Sequence, residues 1–253
     1  LARLSRHAGR HIISTPLEHS SVSGTLTALQ EQGYEIDLLD VKQDGTVDLE
    51  HLKDLLRPDT ICVAITLVDS ELGVVQPVQE IAAILKDYPD CHLHVDATQA
   101  VGKIPVSFEG VDTMSLTAHK FYGLNGIGLL LKRRNLALEP LIHGGESTIY
   151  RSGTPTVALA PSLACALELA VENLPERSVS VQKRNAELRA ALCQHPEVRI
   201  NSPENAIPHI LNLSVQNVKG TVFQRELDAH GVCVSVKSAC SSDGLPSRAV
   251  FAV

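Results

Sequence analysis

Residues 92–103 read HLHVDATQAVGK, and the pattern that they begin decides the fold. A strand-like run ends at Asp96, and the chain then turns at once into small and polar residues. Similar runs of strand length recur at 11–14, 35–39, 60–67, 113–117 and 126–132, and helical patterns lie between them at 20–32, 48–56 and 78–87. Because strands that alternate with helices form a mainly parallel sheet covered by helices, we predict an α/β fold.

A second segment with its own pattern follows this sheet. An apolar helix is predicted over 156–173, and after it a helix (179–194), two strands (198–201 and 209–215), a helix (221–230) and a strand (232–236). We therefore expect a large domain over 1–155, a connecting helix over 156–177 and a small α/β domain over 178–253. The sequence lacks an initiator Met and ends without a helix cap, so we expect it to be incomplete at both ends.

Composition narrows the classes of partner. The formal charge of −7 and the pI near 5.9 argue against a nucleic-acid or anionic-membrane surface, which would need clustered Lys and Arg. No apolar stretch reaches the roughly 20 residues that cross a bilayer. The six cysteines form no CxxC pair, so no zinc site, other metal site or disulfide framework is predicted. A cytoplasmic protein with a small-molecule substrate or a protein partner is expected.

Two charged residues follow predicted strands and are candidates for chemistry. Asp96 lies at the carboxyl end of its strand, where functional groups often collect, and a protonated pyridine nitrogen is one suitable partner for its carboxylate. Lys120, in SLTAHKFYGLNGIGLLL (115–131), is a candidate Schiff-base former because apolar surroundings favour a neutral amine. A helix cap or a loop hydrogen bond for Asp96 and a solvated side chain for Lys120 remain the alternatives. The glycines that follow Lys120 are weak evidence for phosphate binding.

One cysteine lies in a different setting from the others. Cys240, in KSACSSDGLPS (237–247), is surrounded by small and polar residues that predict an accessible loop, which suits a reactive thiolate. The other five cysteines, Cys62 and Cys193 among them, lie in apolar strand or helix patterns, where a buried and inert thiol is expected. An exposed thiol without function is the alternative for Cys240.

Seven short motifs occur together and in order: TPLEHSSV, HVDATQAVGK, TAHKFYG, HGG, RSGT, HILNLSV and SACSS. In this combination the chain resembles the cysteine desulfurases (NifS/IscS-like), which belong to the class V aminotransferase branch of the fold-type I pyridoxal-phosphate (PLP) enzymes. The resemblance implies a PLP-dependent transferase fold, with a large domain of mixed, mainly parallel sheet and a small C-terminal α/β domain. That fold agrees with the one predicted from the strand and helix patterns.

The resemblance implies roles around the cofactor ring. Lys120 would hold PLP covalently, and Asp96 would keep the pyridine nitrogen protonated. Gln99 would donate a hydrogen bond to the phenolic oxygen, and His19 would stack on the ring and handle protons. Ser70, in LVDSELGVV (67–75), stands where the family commonly has an asparagine that touches the cofactor.

It also implies a phosphate site and a dimer. Thr117 and His119 match phosphate donors, and Thr154 matches a residue that reaches the phosphate of a neighbouring subunit, so a homodimer is expected. The alternative for residues 151–154 is an ordinary surface turn. The family's upstream phosphate cradle and its downstream arginine have no counterpart here, which leads us to expect weak cofactor binding by this chain.

The implied reaction converts L-cysteine to L-alanine and leaves its sulfur on Cys240 as a persulfide. Delivery would follow to an acceptor protein, such as an iron–sulfur scaffold or a tRNA-thiolation partner. Another class V enzyme, such as a selenocysteine lyase or an aminotransferase, and a catalytically silent dimerising or sulfur-carrier relative remain alternatives.

Overall fold

A six-stranded sheet forms the centre of the computed structural model, which describes residues 2, 4–144, 150–154, 156–236 and 249–250. Its strands are β1 (His11–Ser14), β2 (Glu35–Leu38), β3 (Thr60–Thr66), β4 (His92–Asp96), β5 (Thr113–Thr117) and β6 (Gly128–Lys132). They lie in the order β2-β1-β3-β4-β5-β6. The first five strands pair in parallel, and β6 runs antiparallel to β5.

The register of the central strands aligns their carboxyl ends. Thr66 of β3 pairs with Asp96 of β4, and Asp96 pairs with Ser115 of β5. All seven residues of β3 are buried, as expected for a parallel strand covered on both faces. Side chains that follow β3, β4 and β5 are therefore held at one edge of a rigid sheet.

Helices follow the strands where the sequence predicts them. They are α1 (Ser20–Gln30), α2 (Leu49–Leu55) and α3 (Val78–Ile84), the last continued by a 3-10 turn over Leu85–Asp87. Asp48 caps α2, because its carboxylate accepts a hydrogen bond from the Glu50 amide at 2.9 Å. That bond holds the pKa of Asp48 below its usual value.

The predicted connecting helix is interrupted. One helix, α4, spans Leu159–Glu172, and a second, α5, spans Leu174–Leu192, with Asn173 between them. Pro175 lies in the first turn of α5, where its missing N–H costs little, whereas inside one continuous helix its ring would clash with the preceding turn. Residues 156–177 therefore contain the whole of α4 and the first turn of α5.

The last part of the described chain holds a two-stranded antiparallel sheet and one helix: β7 (Val198–Ile200), β8 (Leu213–Val215) and α6 (Gly220–Ala229). The prediction of a strand over 232–236 is wrong, because these residues pair with no strand of the described chain. Val232, Val234 and Val236 are each more than 40% exposed, so their apolar alternation reflects no buried sheet face.

The α/β class and the mainly parallel sheet are thus confirmed, and the division into a large and a small domain stays a prediction. Among the helices of the described residues, none is both long and apolar enough to cross a membrane.

Candidate active site

The carboxyl edge of the sheet carries the residues predicted to act. Asp96 ends β4 and is 7% exposed, and its Oδ1 accepts a hydrogen bond from the Thr98 amide at 2.9 Å. The strand on one side of it ends at Thr66, and the strand on the other side ends at Thr117, two residues after its partner Ser115. The sheet thus brings a buried carboxylate next to the residues that follow β5.

Thr117, His119 and Lys120 lie together after β5, the last two in a 3-10 turn over Ala118–Lys120. The Thr117 hydroxyl donates to the Ile127 carbonyl at 3.1 Å and contacts His119 Nδ1 at 3.0 Å. Since its one proton goes to the carbonyl, Thr117 accepts the second bond, and His119 Nδ1 carries a hydrogen. Both His119 and Lys120 are exposed, so the expectation of apolar surroundings for the Lys120 amine is wrong, and the side chain is solvated as in the alternative.

Close packing fixes the chain after Lys120. Gly123 donates a hydrogen bond to the Ala118 carbonyl at 2.9 Å, and a Cβ at this position would lie 2.7 Å from the Ala118 Cβ. Only glycine allows this approach. Tyr122 adopts φ of 68°, which is uncommon for a non-glycine residue, and the Arg177 guanidinium lies over its ring at 4.9 Å.

Lys120 lines a cavity of about 330 Å³, large enough for a ring-sized molecule. Lys103, Arg177 and His209 line it as well, together with the start of α5. The cavity lining does not include Asp96, His19 or Thr117, which lie at the carboxyl edge of the sheet. Lys120 therefore borders both the cavity and the strand ends.

Gln99 is held by a residue that sequence reasoning did not single out. The Lys103 ammonium donates to the Gln99 carbonyl at 3.0 Å and to its Oε1 at 3.1 Å. Because a lysine only donates, the atom that faces it must be the amide oxygen, and the Gln99 NH₂ group is left to donate elsewhere. Burial, followed by the nearby charge of Lys120, lowers the pKa of Lys103 to about 8.

His19 follows β1 and begins α1. Its Nδ1 accepts a hydrogen bond from the Ser21 amide at 3.2 Å, so the neutral ring carries its hydrogen on Nε2. This bond makes His19 the N-cap of the helix and fixes the ring at the carboxyl edge, half-buried.

Glu18 is a second residue that sequence reasoning missed. Its Oε1 accepts hydrogen bonds from the Thr15 hydroxyl at 2.8 Å and from the Thr66 amide at 2.7 Å, whereas Oε2 is buried without a partner among the described residues. Burial, with smaller contributions from Asp96 and Asp69, raises the pKa of Glu18 to about 8. In the sequence, only its position directly before His19 in the motif TPLEHSSV could have marked Glu18 as a candidate site residue.

The structure describes two of the three remaining predicted site residues, Ser70 and Thr154. Asp69 caps the turn that follows it through bonds from the amides of Leu72 and Gly73, and the next residue, Ser70, is half-buried. Thr154 is exposed. Cys240, predicted as the reactive thiol, lies outside the described residues.

The other cysteines fall into two groups. Cys62 and Cys91 are buried, which raises the pKa of both thiols, to about 12 for Cys62, and makes them poor nucleophiles. Cys165, Cys193 and Cys233 are exposed. The expectation of a buried thiol is therefore wrong for all three, and Cys193 in particular lies at the C-terminal cap of α5.

The donor set of this edge matches the chemistry of PLP. A buried carboxylate suits a pyridinium nitrogen, the oriented Gln99 NH₂ suits a phenolic oxygen, and a hydroxyl beside an imidazole suits a phosphate. An exposed amine follows on the same turn. The residues present therefore fit this cofactor.

Comparison with known proteins agrees with the geometry. The model of the class-V aminotransferase family matches residues 1–253. A cysteine desulfurase IscS of Dictyoglomus turgidum is 40% identical over 97% of this chain. A solved NifS-like protein is 34% identical over 99% of this chain, with a TM-score of 0.91, and that alignment covers 67% of the NifS-like chain.

A solved structure of SspA in complex with cysteine superposes with a TM-score of 0.81 at 28% identity, over 99% of this chain and 71% of its own. The present chain spans 64% of the length of the Dictyoglomus protein.

Proposed function

We propose, on the premise that the chain belongs to the class-V aminotransferase family, that its parent protein is a PLP-dependent cysteine desulfurase. The substrate would be L-cysteine, and the product L-alanine. The sulfur would pass to Cys240, with a carbon–sulfur bond of the substrate broken and a sulfur–sulfur bond formed. The similarity to curated cysteine desulfurases and to a protein solved with cysteine supports this assignment.

The register of β3, β4 and β5 carries the proposal. It aligns Asp96 with the strand that leads into Thr117, His119 and Lys120, so a carboxylate and an amine follow neighbouring strands at one sheet edge. When bound, PLP supplies an electron sink that withdraws electrons from the substrate. Asp96 holds the charge that favours a protonated ring nitrogen, and Lys120 supplies the amine that anchors the cofactor.

The other site residues would orient the cofactor and transfer protons. The Gln99 NH₂, which Lys103 leaves unbound, would donate to the phenolic oxygen, and Ser70 stands where the family commonly has an asparagine that touches the cofactor. To hold the phosphate, the Thr117 hydroxyl would turn from the Ile127 carbonyl and donate to it, and the Nδ1 hydrogen of His119 would then donate beside it. His19 carries a hydrogen on Nε2 and can move a proton at the ring face. Thr154 contributes to the phosphate site of a second copy, so the working unit is a homodimer.

Cys240 then holds the sulfur as a persulfide, which is a reversible state of a reactive thiol. A scaffold for iron–sulfur clusters or a tRNA-thiolation protein accepts it. Because the thiol must stay reduced between turnovers, we place the protein in a reducing compartment, the cytoplasm. We further propose that residues 178–253 form a small domain that brings Cys240 to the large domain of residues 1–155.

Trapping of the cofactor tests the anchor. Here and in the tests below PLP is added to the full-length parent protein, since weak binding is expected of the shorter chain. The parent protein is reduced with borohydride and digested, and the peptides are weighed. A reduced phosphopyridoxyl group on Lys120, lost in Lys120→Ala and kept in Lys86→Ala, is expected, since Lys86 is an exposed lysine outside the site. Labelling of Lys103 or Lys86 in place of Lys120 would contradict the proposal.

A further inference from the structure

Glu18 stands out because the proposed mechanism gives it no task, although its carboxyl is buried within the site. The residue lies in the turn between β1 and α1. Its Oε1 holds this turn to the end of β3, through the Thr15 hydroxyl on one side and the Thr66 amide on the other. Thr15 Oγ1 also accepts from the Leu17 amide at 3.1 Å, which closes the turn.

The surroundings of Glu18 disfavour a negative charge. Two carboxylates act on it, Asp96 at the end of β4 and Asp69 in the turn after β3. The lone pairs of Asp69 are taken by turn amides, whereas Glu18 Oε2 is buried and has no partner among the described residues. An ionised carboxylate with one unpaired buried oxygen is costly, and a neutral acid is far less so.

We propose that Glu18 is a neutral carboxylic acid at neutral pH, and that it is a positioning residue for His19 and for the charge of Asp96. Since Oε1 accepts two hydrogen bonds, the proton resides on Oε2. The neutral side chain ties the turn that carries His19 to β3 while it leaves Asp96 without an added negative neighbour. This positioning role rests on the proposed function, whereas the protonation state does not.

The protonation state has a signature in unfolding, because the group is neutral in the folded chain and ionised in the unfolded one. An unfolded glutamate ionises near pH 4.5, but the folded Glu18 retains its proton up to a pKa of about 8. Unfolding between these values releases one proton, so stability from this group is lost as the pH rises from about 4.5 to about 8.

Comparison of Glu18 with Glu18→Gln measures this release without any cofactor. Glutamine preserves the shape and both acceptor bonds, and it does not ionise. Between pH 5.5 and 7.5, the unfolding constant of the unsubstituted protein, divided by that of the variant, is expected to rise about tenfold per pH unit. A ratio that stays constant over this range would overturn the proposal.

Carboxyl NMR of the unsubstituted protein gives the same answer without a substitution. With ¹³C-labelled glutamate, one side-chain resonance should titrate with a midpoint near 8, and this resonance should be missing from Glu18→Gln if that variant folds. Titration of every glutamate below pH 6 would refute the neutral acid.

The positioning role is tested by the affinity for PLP of two variants. Glu18→Asp is one methylene shorter and cannot span Thr15 and Thr66, so we expect it to bind PLP at least tenfold more weakly than Glu18→Gln. Equal affinity of the two variants, with the proton release intact, would remove the positioning role alone. Absence of PLP binding by the unsubstituted protein would instead count against the proposed function.

Discussion

Lys103→Met is predicted to weaken PLP binding and at the same time to stabilise the protein without cofactor. In the structure the Lys103 ammonium donates to the carbonyl and to Oε1 of Gln99, which leaves the Gln99 NH₂ to donate to another group. Methionine has a similar length but no donor. It therefore leaves the amide free to rotate while it removes a charge that the fold buries only at a cost.

The expected loss of PLP affinity and the expected gain in stability can each be given a magnitude. Loss of one oriented hydrogen bond from a charged group should reduce the affinity for PLP about tenfold, which is about 1.4 kcal/mol. The pKa of Lys103 falls from 10.5 to about 8. At about 1.4 kcal/mol per pKa unit the buried charge costs on the order of 3 kcal/mol, and partial exposure reduces our expectation to about 1–2 kcal/mol of added stability.

Two measurements check these values: a spectroscopic titration with PLP and urea unfolding of the cofactor-free protein at pH 7. Lys103→Arg keeps a charged donor and serves as the matched control, and Lys86→Met removes an exposed lysine elsewhere. As the pH rises through 8, the unsubstituted protein should lose its advantage in affinity over the Met variant, because Lys103 loses its proton. Unchanged affinity in Lys103→Met, or a loss of stability without cofactor, would refute the reasoning.

Three further outcomes are expected. Asp96→Asn keeps the acceptor for the Thr98 amide, so its stability should stay within about 0.5 kcal/mol of the unsubstituted protein, while titration shows at least a tenfold weaker affinity for PLP. Asp48→Ala removes the cap of α2 and should lower the free energy of unfolding in urea by about 1 kcal/mol. Asp54→Ala changes an exposed residue inside the same helix and should lower it less. Equal losses in the two variants would contradict the role of Asp48 as a cap. In the folded protein Cys193 should react with a thiol reagent within minutes, whereas Cys62 should react only after unfolding. Rapid labelling of Cys62 in the folded protein would argue against its burial.

Local patterns predicted the sheet well. The strands 11–14, 92–96 and 113–117 agree with the structure to the residue, because in each a short run of strand composition ends at a turn or polar residue. The helix predicted over 156–173 ends within one residue of its expected end, but the next helix begins at Leu174 and not at 179, since the effect of Pro175 depends on where a helix begins. The strand expected over 232–236 failed because apolar alternation does not supply a neighbouring strand to pair with.

In the candidate site, too, some residues could be chosen from the local sequence pattern and others only from the packed structure. Asp96 and Lys120 could be chosen from their positions after strands, and the motif resemblance supplied their roles. Glu18 and Lys103 could not, because the importance of both comes from burial, and that of Glu18 also from a partner distant in the sequence, Thr66. Desolvation is a property of the packed chain, and one sequence does not reveal it.

The central claim, that an amine and a thiol of this chain serve one cofactor, is tested most directly by the mass of the protein after incubation with L-cysteine and PLP. One additional sulfur atom on the peptide that contains Cys240 is predicted, absent from Cys240→Ala and retained in Cys233→Ala, whose thiol is exposed in the same part of the chain. Sulfur found on Cys233 but not on Cys240, or alanine formed at the same rate by Cys240→Ala, would contradict the claim.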